Sequence, residues 1–352
     1  MKVSQFLEHH GIATNPFADE DAQTDLVFKG SCIKTTYHPS WDKIYGDPTE
    51  PATSIVFGEK GSGKTALGLQ IVRHLADYNA NHPGQQVLVI AYDDFNPFLD
   101  RFRERFSGGR RRVERALAEW KLWDHMDAIL SLGVTQLVDR ILESKQARHA
   151  AAVETRLPIR NLDCSQVRDM LLLAACYDQS TAENPEQRWR RLRRKLRFSI
   201  WRSRLSLVLG LAVTAAVLGL VGYFRKWTWM QHPWPYLAIA AGWLPCAWRW
   251  LKQSWLAMRI VRNTRVLNRS VSVLRRILLR VPAKQLAGQP LPLHARTDDR
   301  YELLGKLQTV LRTLEMPGIV VLLDRLDEPY LINGSPELMR ALLWPMLDNK
   351  FL

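Results

Sequence analysis

The sequence predicts an α/β protein: a three-layer α/β/α domain on a parallel sheet, interrupted by a large helical insert that carries a two-helix transmembrane hairpin. Three observations lead there. Apolar runs at Ser54–Phe57, 86–94 and Ile319–Leu323 alternate with helical patterns, the order expected of parallel strands. A glycine-rich loop follows the first run, and an acidic cluster follows the last. Between them lies Leu205–Phe224, twenty residues without a charge.

Ser54–Phe57 ends in Gly58 and reads as a buried strand. From Lys64 to about Asn79, Leu67, Ile71 and Leu75 share one helical stripe. Residues 86–94 (QVLVIAYDD) read as a second buried strand, ended by Asn96-Pro97. Helical patterns follow, clearest in VERALAEWKLWDHMDAIL and GVTQLVDRILESKQ. Asn184-Pro185-Glu186 starts a helix with a capping side chain, a proline in the first turn and an acid at the dipole's positive end. The pattern permits one helix from 185 to about 224, roughly 60 Å at 1.5 Å per residue. Trp255 to Arg280 reads as an amphipathic basic helix, with Leu256, Ile260, Leu267, Val271, Leu274 and Leu278 on its apolar face. Residues 281–297 read as a Pro/Gly-bearing linker. Asp298 or Asp299 then caps a helix striped by Leu304, Leu307, Leu311 and Leu314; Pro317-Gly318 ends it, and Ile319–Leu323 is the third strand.

These elements divide the chain into residues 1–100 and 298–352, the two parts of the α/β domain, and a helical insert at 101–186. Residues 187–297 form a basic membrane insert. An insert in a surface crossover is tolerated, so the α/β domain is expected to fold without 187–297.

Charge follows the same division. The 352 residues carry a net charge of +14, yet 187–297 holds 22 Lys/Arg and no acid, against 27 Lys/Arg and 35 Asp/Glu elsewhere. The four cysteines, Cys32, Cys164, Cys176 and Cys246, show no metal-ligand spacing, which fits buried free thiols in a reducing cytosol. The N-terminal segment lacks the uninterrupted apolar core and cleavage site of a signal peptide.

Gly58-Glu59-Lys60-Gly61-Ser62-Gly63-Lys64-Thr65 fits GxxxxGK[ST] at every fixed position. A bent glycine loop can turn successive N–H groups toward one point, as a di- or triphosphate requires. Lys64 would reach the β/γ-phosphates of ATP, and the Thr65 hydroxyl would take a place on Mg²⁺. No guanine-reading NKxD motif is present, which favours ATP over GTP. The bland alternative is a glycine turn before a helix. At the third strand's end, Asp324 is the candidate Mg²⁺ carboxylate, and Asp327 or Glu328 could orient the attacking water for hydrolysis. Its bland alternative is a solvated strand end.

Leu205–Phe224 is long enough for a bilayer crossing, and Thr228–Trp248 is a second charge-free stretch, interrupted by His232, Pro233, Pro235 and Pro245. Tryptophans crowd its ends, including Trp227, Trp229, Trp243 and Trp248. Nine basic residues lie between Arg188 and Arg204, two in the turn (Arg225, Lys226) and six between Arg249 and Arg269. The positive-inside rule therefore puts both outer flanks, and the nucleotide domain, in the cytosol at the inner membrane, with anionic lipid headgroups as partners. A buried core helix, or a re-entrant second segment, is the bland reading of these runs. Nucleic acid is the rival partner for the basic helices.

The phosphate loop and "DRLDE" at 324–328 together resemble the P-loop NTPases of the AAA+/STAND group. Transmembrane helices placed between the two motifs are most similar to the KAP family. By motif the resemblance covers 54–94 and 299–330; over 200–250 it is architectural. GIATNPF at 11–17 is similar to a segment that helps enclose the base in some bacterial AAA+ ATPases. The resemblance implies a membrane-anchored cytosolic ATPase acting as a nucleotide-dependent switch or organiser, with bacterial defence as one setting. A homo-oligomer and an effector protein are its implied partners. The alternatives are a soluble AAA+-like ATPase acting on DNA and a nucleotide-binding scaffold without turnover. Two features depart from the family. Arg325 stands where many AAA+ proteins have the catalytic glutamate, and only 24 residues follow Glu328, where the family core has two further strands. The chain is therefore expected to stop short of its full domain.

Overall fold

The structure is a computed structural model describing residues 3–348, apart from 13–14, 16–18, 20, 36, 51, 60, 106–116, 118, 143–156 and 225–229. Its sheet has two parallel strands among the described residues, β1 (Val87–Tyr92) and β2 (Gly318–Leu323), paired from Val87 opposite Gly318 to Tyr92 opposite Leu323. Both are runs of β-branched and aliphatic residues, and Leu88, Ile90 and Tyr92 of β1 are buried. Glycine opens β2 for a steric reason: a Cβ at Gly318 would lie 2.9 Å from a Val87 methyl.

Helix α1 (Lys64–Asn81) leads into β1 through a short turn. The Asn79 side chain brackets the first strand residue, its Nδ2 donating to Val87 O (2.9 Å) and its Oδ1 accepting from Val87 N (2.7 Å). This fixes the last turn of the helix against the start of the strand. The strand expected before α1 does not form: Ser54–Phe57 is irregular, and Phe57 is 87% exposed. So short a run holds a strand only when neighbouring strands supply hydrogen bonds and cover, and no strand lies beside it among the described residues.

The core is helical. Its elements are α2 (Asn96–Glu104), α3 (Leu122–Leu142), α4 (Cys164–Tyr177), α5 (Pro185–Lys195), α6 (Leu205–Tyr223), α7 (Trp234–Asn263), α8 (Val271–Leu278), α9 (Thr297–Thr313) and α10 (Pro336–Leu347). Helix α3 is buried over most of its surface, Asp124, His125 and Asp127 included, and sits centrally, packed on β1, α4, α5, α9 and α10. The parts of the helical patterns that run into 106–116 and 143–156 lie outside the described residues. Helix α4 begins with a reciprocal cap, Asp163 and Gln166 each serving the other's backbone N–H.

Three arginines of the basic 187–297 segment, and Arg300 just beyond it, turn inward rather than toward solvent. Arg188 meets Asp178 (2.7 Å) and Asp139 (2.8 Å), Arg265 meets Asp124 (2.5 Å), and Arg300 meets Asp127 (2.9 Å). The Arg269 guanidinium donates to Ala174 O at 2.8 Å. Trp189, Leu192, Ala257, Ile260, Leu267, Leu274, Ile277, Leu286 and Leu291 join the same apolar cluster as β1 and α3. Residues 187–204 and 249–297 are thus part of the body, which corrects the expectation that 187–297 is separable from it. The linker expected at 281–297 is likewise packed, through Val281, Leu286 and Leu291.

Helix boundaries differ from expectation at three points. The helix from 185 stops at Lys195; Arg197 takes φ 53°, a left-handed conformation that breaks the run, and a short 3₁₀ turn at Trp201–Arg204 precedes α6. The basic helix ends at Asn263, where Arg105 caps its last carbonyls, donating to Val261 O (2.8 Å), Arg262 O (2.9 Å) and Thr264 O (3.1 Å). Asp298 and Asp299 lie in the first turn of α9, where they meet the dipole, and not at its cap.

Helices α6 and α7 form a hairpin standing out from this body. A Cβ at Gly210 would meet the Trp243 ring at 2.9 Å, and one at Gly242 would meet Val213 at 2.7 Å, so glycine lets the two helices touch. Trp243 Nε1 donates to Thr214 Oγ1 across the contact (3.0 Å). Among the described residues, α6 is the one helix long and apolar enough to cross a membrane, and only 17% of its apolar window is buried. The second segment, expected at 228–248, does not support a multi-pass arrangement. Its first two residues, with Arg225, Lys226 and Trp227, lie outside the described residues. Residues 230–233 are a turn, and the helical remainder is the charge-free start of α7, Trp234–Trp248, about 22 Å at 1.5 Å per residue against a hydrocarbon core of about 30 Å. Arg249 then marks the root, donating to Leu279 O (2.7 Å), Val281 O (3.0 Å) and Ser203 O.

Two buried groups on α3 make stability depend on pH in opposite directions. Burial pushes the His125 pKa down to about 4; its Nε2 contacts Leu342 O at 2.7 Å. A depressed folded pKa gives stability that is present above the unfolded value of about 6.5 and lost as pH falls toward 4. Burial pushes Asp124 up to about 6 despite Arg265, so its contribution is lost as pH rises from about 4 to 6. Burial also raises the pKa of Asp127 and Asp178, so His125 stands against three carboxylates. Relative to wild type, His125→Gln should lose the part of the stability that rises between about pH 4 and 6.5, read as urea midpoints across that range. A difference between variant and wild type that does not change with pH would contradict this assignment.

Candidate functional site

The glycine loop opens α1. Gly61 and Gly63 both take left-handed conformations, φ 84° and 83°, which residues with a Cβ rarely adopt. At Gly58 a Cβ would lie 2.3 Å from Ser62 Oγ, so the loop closes tightly across its own base. The Lys64 ammonium folds back over it, donating to Gly58 O (2.9 Å) and Glu59 O (2.8 Å). Thr65 lies in the first turn of α1, where helix N–H groups have no intrahelical partner. Lys60 lies outside the described residues. The loop is thus compact, closed over by its own lysine, and abuts a helix N-terminus, where an anion could be held.

The acidic groups gather where β1 and β2 end. Asp324 follows β2 directly, is half-buried, and its Oδ1 accepts from Arg325 N (2.9 Å). Arg325 takes φ 56°, strained for a residue with a long side chain. Its guanidinium lies 3.7 Å from the Glu328 carboxylate and 4.0 Å from Asp21. A cavity of about 260 Å³ opens here, lined by Asp93, Asp94, Phe95, Asn96, Arg325, Glu328 and Pro329. Beside it the two strand ends are tied together: Asn96 Oδ1 accepts from Tyr330 N (3.2 Å), and Arg103 donates to the Tyr330 hydroxyl (2.5 Å).

Of the residues expected from sequence, Glu328 lines this cavity together with Arg325. Asp327 stands exposed beside it, its main-chain carbonyl accepting from Gly334 N (3.1 Å). Lys64, Thr65 and Asp324 do not line the cavity, and no hydrogen bond or ion pair joins loop to strand ends among the described residues. Asp93, Asp94 and Asn96 were not foreseen. The signal was available, since "YDD" ends β1 as "LLD" ends β2. No group of three or more metal-ligating side chains occurs among the described residues. The cysteines are free, and burial pushes the Cys176 thiol up to about 12, which leaves it unreactive.

Comparison of the chain with protein-family models, with curated proteins and with solved structures finds no match in any of the three.

Proposed function

We propose that this chain binds Mg-ATP at the glycine loop and is held at the cytosolic face of a membrane by α6. The loop carries the proposal: two left-handed glycines before a helix N-terminus, with the Lys64 ammonium lying over them. That arrangement suits a polyphosphate, because the free N–H groups of a helix N-terminus and a nearby cation both favour concentrated negative charge. On binding, Lys64 would exchange the Gly58 and Glu59 carbonyls for β/γ-phosphate oxygens.

Mg²⁺ keeps several waters and needs few protein ligands; on this reading the Thr65 hydroxyl and the Asp324 carboxylate would hold it. When bound, the ion neutralises charge on the β- and γ-phosphates. Glu328, facing the cavity, would orient the attacking water, with Asp327 as the neighbouring alternative. Parallel pairing supports this division of labour. Both strands end on the same side, so Asp93, Asp94 and Asp324 form one acidic rim.

One observation favours a second reading, nucleotide binding without turnover. Arg325 engages Glu328 at 3.7 Å, and a carboxylate so engaged is a poor water-orienting group. Nucleotide titration of the full chain in detergent tests the binding step. Lys64→Ala should weaken ATP about 10- to 100-fold, the value of one or two charge-assisted phosphate contacts, and Asp324→Ala should remove Mg²⁺ dependence. Unchanged affinity in Lys64→Ala protein would defeat the proposal. Hydrolysis in Glu328→Gln and Asp327→Asn then separates the two readings: loss in either supports turnover, and no hydrolysis by the wild type supports the scaffold.

A further inference from the structure

The basic residues around the hairpin root fall into two sets. Arg188, Arg249, Arg265 and Arg269 are bonded inside the protein, to carboxylates or to carbonyls, and offer little to an outside partner. A second set remains at the surface on the segment leading into α6: Arg190, Arg193, Arg194, Arg197 and Arg204. The carboxylate Glu186 stands near them, already shared by Arg190 (2.5 Å), Arg280 (2.7 Å) and Arg276 (3.3 Å). Arg194, Arg197 and Arg204 are exposed and have no carboxylate partner among the described residues. Arg193 Nε is a buried donor without an acceptor. Burial, together with Arg194, Arg204 and Arg190, pushes the Arg193 pKa down, which shows how closely the cations crowd.

Such a cluster repels itself unless an anion joins it. Its position says which anion. Arg204 is followed at once by Leu205, the start of α6, with Leu207, Val208, Leu209 and Leu211 all well exposed. Trp201, 69% exposed, occupies the 3₁₀ turn between the cluster and the apolar helix. A cationic ring, then an amphipathic aromatic, then apolar surface is the profile of a bilayer crossed from water inward. Duplex nucleic acid would have to lie against exposed leucines instead.

We propose that the arginines at 190, 193, 194 and 204 form a binding site for the phosphate groups of anionic lipids in the leaflet that α6 enters. This rests on the reading that α6 enters a membrane. The site sits on one side of the root, the side of the chain leading into α6. On the other flank Arg249, Arg259, Arg265 and Arg269 are bonded inward while Lys252 and Arg262 stay exposed, so the lipid contact is heavier on the side leading into α6.

The test is flotation of the full chain, synthesised cell-free with vesicles of phosphatidylcholine alone or of phosphatidylcholine with phosphatidylglycerol. Wild type should float preferentially with the anionic vesicles, and high salt should reduce that preference. Arg190→Gln, Arg193→Gln, Arg194→Gln and Arg204→Gln combined should reduce it at least tenfold, at about fivefold per cation near an anionic leaflet. Replacement of the same four by lysine, which keeps the charge, should retain most of it; resistance to trypsin checks that each variant is folded. A glutamine variant that is folded and keeps the full preference overturns the site, as does equal wild-type flotation with both vesicles. Competition by inorganic phosphate beyond that of chloride at equal ionic strength would make this a site for soluble phosphate and overturn the lipid assignment. Loss of duplex DNA retention in the glutamine variant, with vesicle preference unchanged, would overturn it in favour of nucleic acid. Failure of wild type to float with any vesicle defeats the membrane reading itself, a result distinct from equal flotation.

Discussion

Asp127→Ala is expected to unfold the chain or leave it barely stable. Asp127 and Arg300 are both 0% exposed. Arg300 donates to Asp127 Oδ1 (3.1 Å) and Oδ2 (2.9 Å), and Tyr177 donates to Oδ1 (2.8 Å). Burial still pushes the Asp127 pKa upward, so the pair is held against a desolvation cost. Removing the carboxylate leaves a guanidinium in the core with only the Asn263 and His294 carbonyls and a weaker contact at Arg296 O. Breaking such a pair from one side costs about 3–5 kcal/mol, a large share of the roughly 5–15 kcal/mol that holds a domain. Asp127→Leu combined with Arg300→Met should recover most of the loss, because no charge is then stranded. Urea unfolding of the single and double variants checks both. A single variant as stable as wild type would mean that the pair is not buried in solution.

The second large effect concerns the hairpin. On the proposed reading, replacing residues 205–248 by a short Gly/Ser linker should release the chain from the membrane with its core intact. The two ends are already neighbours, since the Arg249 guanidinium donates to Ser203 O. Among the described residues, 205–248 contribute no side chain to the main apolar cluster, whereas 187–204 and 249–297 contribute many. Replacing all of 187–297 should therefore fail to fold, because it removes Trp189, Leu192, Leu274, Leu278 and the partners of Asp124 and Asp178. The unmodified chain should resist alkaline carbonate, held by the exposed apolar face of α6 and not by its charges. Complete release by carbonate would make α6 a surface for some other partner.

How much of this could be read beforehand follows from where each signal resides. β1 and β2 were legible because Val87–Tyr92 and Gly318–Leu323 are apolar runs bounded by turn residues, a local pattern. The glycine loop was legible for the same reason. Ser54–Phe57 has an equally apolar run, yet strand formation depends on neighbours that its own residues do not encode. The arginines were hardest. Arg265 and Arg194 look alike in sequence, but one meets Asp124 across the fold and the other stands in solvent. That difference arises from contacts made over more than a hundred residues of separation. Asp93 and Asp94 gained meaning only when parallel pairing set them beside Arg325 and Glu328.

Binding of Mg-ATP by the protein lacking 205–248 is the most direct measurement of a nucleotide site built on the glycine loop and independent of the anchor. The expected result is saturable, Mg²⁺-dependent binding that Lys64→Ala weakens at least tenfold while the urea midpoint stays unchanged. A folded, soluble protein that binds no nucleotide, or binds it equally well with and without the Lys64 side chain, would contradict the account.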